Sequence, residues 1–169
     1  MKKMKRLVAV LLAGVMVLAM LTACGGTGND AATAKFEANV EQAYMAKLNE
    51  KFGENFENDA AIKNLAVKHI KDMAGKEIQN SKDLWANDET TQDWVMICYD
   101  HTENGYVMSS YEADKAPTIT PDETTIDAFL NLARMKAHAG NTAKFTALGV
   151  GVETIDGKTY VAIGVRVEG

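Results

Sequence analysis

Apolar residues recur at helical spacing in three separate stretches of the chain. Residues three and four apart lie on one face of a helix, so each stretch predicts an amphipathic helix with one buried face. Gly53 and Gly75 mark the ends of the first two helices, and the third is predicted to end at residues 138–140. The predicted buried positions are Phe36, Val40, Ala43, Tyr44 and Leu48; Ile62, Leu65, Ala66, His69, Ile70 and Met73; and Ile126, Phe129, Leu130, Ala133 and Ala137.

The third helix carries a start signal in its sequence. Thr120 is predicted to be the N-cap, Pro121 the first helical residue and Glu123 the second member of a capping box. His69, on the apolar face of the second helix, is predicted to be a hydrogen-bonded core residue, with a ligand role as the alternative.

Strand patterns fill the rest of the chain. The run from Trp94 to Tyr99 is apolar on both faces, which predicts a central strand, and a turn at Asn104-Gly105 predicts a local hairpin within residues 94–111. Two β-rich runs, from Phe145 to Thr154 and from Tyr160 to Val167, are joined through an Asp-Gly turn, which predicts a tight antiparallel hairpin.

Two further sequence signals are weaker. From Lys76 to Asp93 the pattern gives only a short helix around Asp83 to Ala86 and then an acidic loop. Gly149 and Gly151 leave one strand face without side chains, which indicates close approach of another part of the molecule to the backbone. The third helix is the expected neighbour there, with a loop or a ligand as the alternatives.

A signal sequence precedes these elements. Lys2, Lys3, Lys5 and Arg6 lead into an apolar run from Leu7 to Leu21, which is the layout of a secretory signal, and the run is short for a membrane span. The run closes on Leu-Thr-Ala-Cys, which looks like a bacterial lipobox ending at Cys24. The alternative is an ordinary Ala-x-Ala cleavage site with a spare cysteine.

This signal predicts the domain organisation and the location. Residues 1–23 form the signal peptide, residues 24–34 the lipidated Cys24 with a flexible tether, and residues 35–169 one domain. We expect an exported protein held by lipid on Cys24 to the outer face of the bacterial cell membrane. With Cys24 lipidated, Cys98 is the remaining thiol, so no intramolecular disulfide is possible and Cys98 is predicted to be a small buried hydrophobe.

The net charge of the exported part limits the classes of partner that it can bind. Four of the 18 Lys and Arg residues lie in the signal and none of the 23 Asp and Glu residues does, so the chain from Cys24 onward carries 14 basic and 23 acidic side chains, a net charge of −9. Such a domain is repelled by nucleic acid and by anionic lipid headgroups. We therefore expect no nucleic-acid partner, a membrane contact through the acyl chains, and a monomeric protein.

Part of the sequence resembles the CAP superfamily, which comprises cysteine-rich secretory proteins, antigen 5 and pathogenesis-related 1 proteins. Residues 138–141 (HAGN) followed by residues 145–152 (FTALGVGV) resemble the family's last conserved third. Residues 100–105 (DHTENG) resemble the segment with its first cavity histidine, and residues 59–74 its second helix. The chain departs from the family by lacking the Gly-Glu-Asn-Ile motif after that histidine, and by having Phe129 or Leu132 where a tryptophan is usual.

The resemblance implies an α+β fold, a three-layer α/β/α sandwich with a small, mainly antiparallel sheet and an open cavity. In that cavity His101 and His138 would converge, and Glu112 is the nearest acidic residue by position. Such residues bind zinc or another divalent cation in several family members, and imidazole and carboxylate are suitable ligands. Without the resemblance, His101 is a polar turn residue and His138 a cation at a helix C-terminus.

Three functions are compatible with these residues. The first is a cell-surface binding or interaction module that takes a small apolar or peptide ligand, with the metal site in its cavity. The second is a metal-dependent extracellular hydrolase, although the sequence contains no nucleophile elbow, His-Glu-x-x-His motif or phosphate loop, which favours a non-enzymatic role. The third is an unrelated α+β structural or adaptor lipoprotein domain.

Overall fold

A computed structural model describes residues 28–113, 115, 118–136 and 144–168. Three α-helices and seven strands lie in these ranges. The helices are α1 (Gly28–Phe52), α2 (Ala60–Met73) and α3 (Glu123–Lys136), and a short 3₁₀ helix covers Ser81–Leu84. The strands are β1 (Trp85–Asp88), β2 (Asp93–Ile97), β3 (Tyr99–Thr102), β4 (Gly105–Met108), β5 (Ser110–Glu112), β6 (Lys144–Ile155) and β7 (Lys158–Glu168).

The main sheet is organised around β7. β7 pairs with β6 along Lys158–Glu168, with β2 through its residues 162–166 and with β5 through its residues 158–160. Since β6 occupies one whole edge of β7, β2 and β5 lie one after the other along the opposite edge. β1 pairs with the far side of β2, and every pairing is antiparallel. This arrangement confirms the α+β class and the internal position of the strand that begins near Trp94.

The chain divides into two units, residues 1–35 and 36–169. In the first unit the described residues from Gly28 onward are helical, which corrects the flexible tether predicted for residues 28–34. Ala31, Ala32 and Ala34 account for the difference, because alanine has the highest helix propensity. The predicted signal peptide, residues 1–23, and Cys24 lie outside the described residues.

In the second unit, a core packs on each face of the sheet. On one face Ile62, Ala66 and Ile70 of α2 pack on Val95, Ile97 and Ala162. On the other face the buried side chains of α1 and α3 pack on the alternate residues of the same strands, among them Met96 and Ile163. The predicted buried faces of the helices are confirmed at these positions, whereas Ala137 lies outside the described residues. The three-layer arrangement implied by the CAP resemblance stays a prediction.

The glycine face of β6 packs against α2, so the expectation that α3 covers it is wrong. A Cβ atom at Gly149 would lie 2.5 Å from the Cβ of Ile62, and one at Gly151 would lie 2.6 Å from the Cβ of Ala66. The α3 side chains instead belong to the core on the opposite face of the sheet, where Leu148, Val150 and Val152 of β6 are buried. The two glycines therefore allow the second helix to approach the sheet closely.

Helix α3 begins later than its sequence signal predicts. The carboxylate of Asp122 accepts hydrogen bonds from the backbone N–H groups of Thr124 and Thr125, so Asp122 is the capping residue and Thr120 is not. Pro121 precedes the cap and is not the first helical residue. A carboxylate next to the helix start competes well with a hydroxyl as a cap, because it is also favoured by the helix dipole.

The strand predictions hold for the C-terminal hairpin and fail in detail elsewhere. Asp156 and Gly157 have φ values of 50° and 78°, as a two-residue type I′ turn requires. The central hairpin is confirmed only for Tyr99–Met108, since the residues before it pair with β1 and β7. The short helix expected at Asp83 to Ala86 is a 3₁₀ turn two residues earlier, and it leads into β1, which the sequence pattern does not reveal.

The outer edge of β6 is covered by side chains from earlier in the chain. The amide of Asn58 donates to the carbonyl of Val150 at 3.0 Å and accepts from its N–H at 2.9 Å. Further along the strand, a carboxylate oxygen of Glu37 accepts from the N–H of Thr154 at 2.8 Å. These contacts occupy backbone groups that an open sheet edge would offer to another chain.

Candidate functional site

The β3–β4 hairpin leaves the main sheet between its two attachment points on β7. Cys98 donates its N–H to the carbonyl of Val161 at 2.9 Å, and Ser109 donates its N–H to the carbonyl of Cys98 at 2.9 Å. The ten residues between them form a separate two-stranded sheet. The hairpin therefore branches off where β2 ends and β5 begins.

One face of this hairpin carries three aromatic rings in mutual contact. Tyr99 and His101 are two residues apart on β3, and His101 pairs with Tyr106 on β4, so all three side chains lie on one face. The ring centroids are 5.4 Å apart for Tyr99 and His101, 5.0 Å for His101 and Tyr106, and 5.3 Å for Tyr99 and Tyr106. His101 is exposed and both tyrosines are half-buried. We call these three residues the aromatic cluster.

The connector between α2 and β1, residues 76–84, supports the hairpin from one side. The N–H of Tyr106 donates to the carbonyl of Ile78 at 2.8 Å, and Ile78 itself is buried. Gly105 has φ of +141°, and a Cβ atom there would lie 2.6 Å from the carbonyl oxygen of Ile78. Glycine at this position thus allows the hairpin backbone to lie directly against the connector.

Two phenols and a thiol form a second group, in which Tyr44 and Cys98 are buried and Tyr111 is half-buried. The hydroxyl groups of Tyr44 and Tyr111 share a hydrogen bond of 3.0 Å, and Tyr111 donates to the carbonyl of Thr120 at 3.2 Å. Burial raises the pKa of Tyr44, and burial raises the pKa of the Cys98 thiol to about 12. The prediction that Cys98 is a small buried residue is confirmed, because it is 2% exposed and its thiol is protonated at neutral pH.

The three predicted cavity residues have different surroundings. His101 contacts the two tyrosines of the aromatic cluster, whereas Glu112 lies opposite Lys158 on β7 and forms an ion pair with Lys115, which lowers the pKa of its carboxyl. The described contacts do not join His101 to Glu112. His138 lies outside the described residues, so its pairing with His101 stays a prediction. Among the residues that the structure does describe, no group of three or more His, Cys, Asp or Glu side chains is arranged to hold a metal ion.

His69 is buried on α2, as its place on the apolar stripe predicts. Its side chain is 8% exposed, and the backbone of Leu84 and Asp83 lies within hydrogen-bonding reach of the ring. Its Nε2 atom is buried without a hydrogen-bond partner among the described residues.

A charged group that the sequence analysis missed holds α2 to the sheet. Arg166 of β7 makes two hydrogen bonds to the carboxylate of Asp93, at 2.8 and 2.9 Å, and two longer ones to Asp59, at 3.3 and 3.4 Å. Asp59 is also the N-cap of α2. A charge at an inward-facing strand position is the signal that points to such a pair.

Comparison with known proteins does not identify a relative of this chain. No protein-family model, curated protein sequence or solved structure matches the chain. Within the described ranges, no helix is both long enough and apolar enough to span a membrane.

Proposed function

We propose that this chain is a CAP-like bacterial lipoprotein whose domain acts as a ligand-binding or interaction module on the cell surface. The signal sequence and the lipobox support export and attachment through Cys24. The acidic character of the exported part supports a partner other than nucleic acid or an anionic membrane surface.

The aromatic cluster is the observation that carries the binding role. Tyrosine and histidine rings combine a large apolar surface with a polar end, which is why tyrosine is enriched at protein interfaces. Tyr99, His101 and Tyr106 display such surface on a hairpin that has left the main sheet, where a ligand can reach it. Rings already fixed by mutual contact lose little conformational freedom on binding. A small apolar ligand or a peptide fits this surface.

A divalent-metal site is part of the same proposal. His101 is exposed, so its imidazole is accessible to an ion from solution. The CAP resemblance supplies His138 and Glu112 as its partners, and zinc accepts this combination of nitrogen and oxygen ligands.

The test uses the full chain, purified in mild detergent and labelled with 3-fluorotyrosine, so that each of its five tyrosines gives a ¹⁹F signal. The probes are a pool of short synthetic peptides and, separately, zinc chloride. With the peptides we expect the signals of Tyr99 and Tyr106 to shift while that of Tyr44, which is 2% exposed, stays in place.

Variants separate the aromatic cluster from its surroundings. Tyr106→Leu should weaken peptide binding at least tenfold, whereas Val107→Ala, on the opposite and exposed face of the hairpin, should leave binding unchanged. His101→Ala and His138→Ala should each weaken zinc binding at least tenfold. Signals of Tyr99 and Tyr106 that stay in place with both probes would overturn the proposal, and zinc affinity unchanged in both histidine variants would overturn its metal site.

A further inference from the structure

His69 is a buried ionisable group whose Nε2 atom has no hydrogen-bond partner in the described part of the chain and is shielded from solvent. The backbone of Asp83 and Leu84 lies close to the ring. A neutral imidazole with Nε2 unprotonated fits this site. Adding a proton to Nε2 would place a charge and an unsatisfied N–H group in the interior, which is unfavourable.

The charged groups around His69 do not offset that cost. Asp72 on α2 and Asp83 in the connector act on the imidazole through space, and neither accepts a hydrogen bond from Nε2. The strands packed against α2 carry further ionisable groups on the same side of the sheet. Some of these groups form ion pairs with partners other than His69. Arg166 pairs with Asp93 and with Asp59, and Glu153 pairs with Lys71. Asp88 of β1, Lys144 of β6 and Lys158, Tyr160 and Glu168 of β7 are the other ionisable groups at alternate strand positions on that side.

The connector joins His69 to the aromatic cluster. At one end its backbone at Asp83 and Leu84 lies against the His69 ring, and Leu84 is buried. In its middle, the carbonyl of Ile78 accepts the N–H of Tyr106, the residue that contributes one ring of the aromatic cluster. Displacement of the connector by a protonated His69 would therefore remove a direct support of the hairpin.

We propose that His69 is a proton sensor: in mildly acidic medium its protonation loosens the connector and releases the hairpin that carries the aromatic cluster. The role of that hairpin in binding rests on the function proposed above, whereas the coupling of His69 to the hairpin does not.

The direction of the effect follows from burial. Burial lowers the pKa of His69 below its ordinary value near 6.5. At a given pH below 6.5, His69 can therefore be neutral in the closed form, with the connector in place, and protonated in the opened form, with the connector displaced. Opening is therefore unaffected well above pH 6.5 and becomes more favourable as the pH falls below it, by up to tenfold per pH unit for one proton. The increase ends when the pH reaches the lowered pKa of the closed form.

Amide hydrogen exchange of the full chain, in mild detergent and without ligand, tests the coupling. After correction for intrinsic exchange rates, we expect the opening constant reported by the Tyr106 amide to rise about three- to tenfold between pH 7.5 and 5.5. His69→Gln should abolish this pH dependence, because glutamine does not titrate. The matched control His101→Gln, which removes the exposed histidine of the hairpin itself, should retain it.

A second measurement needs no variant. The Hε1 NMR signal of His69 in the unmodified protein reports the closed form, so it should titrate below pH 6.5, at the lower end of the pH range in which Tyr106 loses protection. A Tyr106 opening constant independent of pH, a dependence that survives in His69→Gln, one that disappears in His101→Gln, or a His69 titration at or above pH 6.5 would each overturn the sensor. Failure to bind peptide or zinc would instead overturn the proposed function and leave these exchange results standing.

Discussion

Replacing Gly151 by alanine places a methyl group where β6 and α2 leave no room for one. The new Cβ would lie 2.6 Å from the Cβ of Ala66, 2.8 Å from the N of Val67 and 3.0 Å from the carbonyl oxygen of Lys63. Carbon atoms in favourable contact are about 3.5–4.0 Å apart, so α2 must move away from the sheet by about 1 Å. None of these atoms is the end of a flexible side chain, so no rotamer change relieves the overlap.

The expected cost follows from two opposing effects. Overpacking a well-filled core costs about 1–3 kcal/mol, and replacing glycine by alanine returns about 0.4–1 kcal/mol by restricting the unfolded chain. Gly151→Ala should therefore lower the free energy of unfolding by about 1–2 kcal/mol. Urea unfolding of the full chain in mild detergent, followed by the fluorescence of Trp85 and Trp94, measures this difference.

A double variant tests whether the overlap with Ala66 is the cause. Ala66→Gly alone should cost about 1 kcal/mol through helix propensity. Combined with Gly151→Ala, it removes the closest contact. The double variant should therefore lose at least about 0.5 kcal/mol less stability than the sum of the losses of the two single variants. Full additivity, or a Gly151→Ala variant as stable as the unmodified protein, would refute the packing of α2 on the glycine face.

Three further changes test other contacts. Arg166→Met should cost about 2–4 kcal/mol in urea unfolding, because the side chain of Asp93 is 3% exposed and loses its counter-charge. Lys51→Met, which removes ion pairs with the exposed Glu123 and Asp127, should cost clearly less, and equal losses would contradict the role of Arg166. Asp122→Ala should cost about 1 kcal/mol at pH 7 through the lost cap. Hydrogen bonds from Thr125 lower the pKa of Asp122, so this difference should be present above about pH 4 and be lost as the pH falls through the lowered pKa; a difference that does not decrease as the pH is lowered below about 4 would refute it. Cys24→Ala should abolish incorporation of labelled palmitate and move the protein out of the membrane fraction, and retained label would exclude Cys24 as the lipidated residue.

The helices and the C-terminal hairpin were predictable because their signals are local. Apolar spacing located the buried face of α2, and the Asp156-Gly157 turn located the hairpin of β6 and β7 within a few residues. Strand β1 and the extent of β2 were not predictable in the same way. β1 pairs with the nearby β2, but its four residues, Trp-Ala-Asn-Asp, include two polar ones that are not typical of a strand. β2 pairs with β7, which lies about 70 residues further along the chain, and no local pattern records that partner. The same separation hid the contact between Arg166 and Asp93.

The candidate site was predicted only in part for a similar reason. His101 was singled out by the CAP resemblance, and Tyr99 and Tyr106 stand beside it in the sequence. Their contact depends on the hairpin leaving the sheet at Cys98, which spacing alone does not indicate. The capping of α3 was assigned to Thr120 because hydroxyl and carboxylate caps share the same sequence signal.

The central position of β7 has a consequence for how the protein is made. β2, β5 and β6 all precede β7 in the chain and all depend on it as a pairing partner. During synthesis, none of these pairings can form until β7 has emerged, so the sheet assembles late and through distant contacts. Under the export proposed above, this strand order is expected to delay assembly of the sheet until the chain has crossed the membrane.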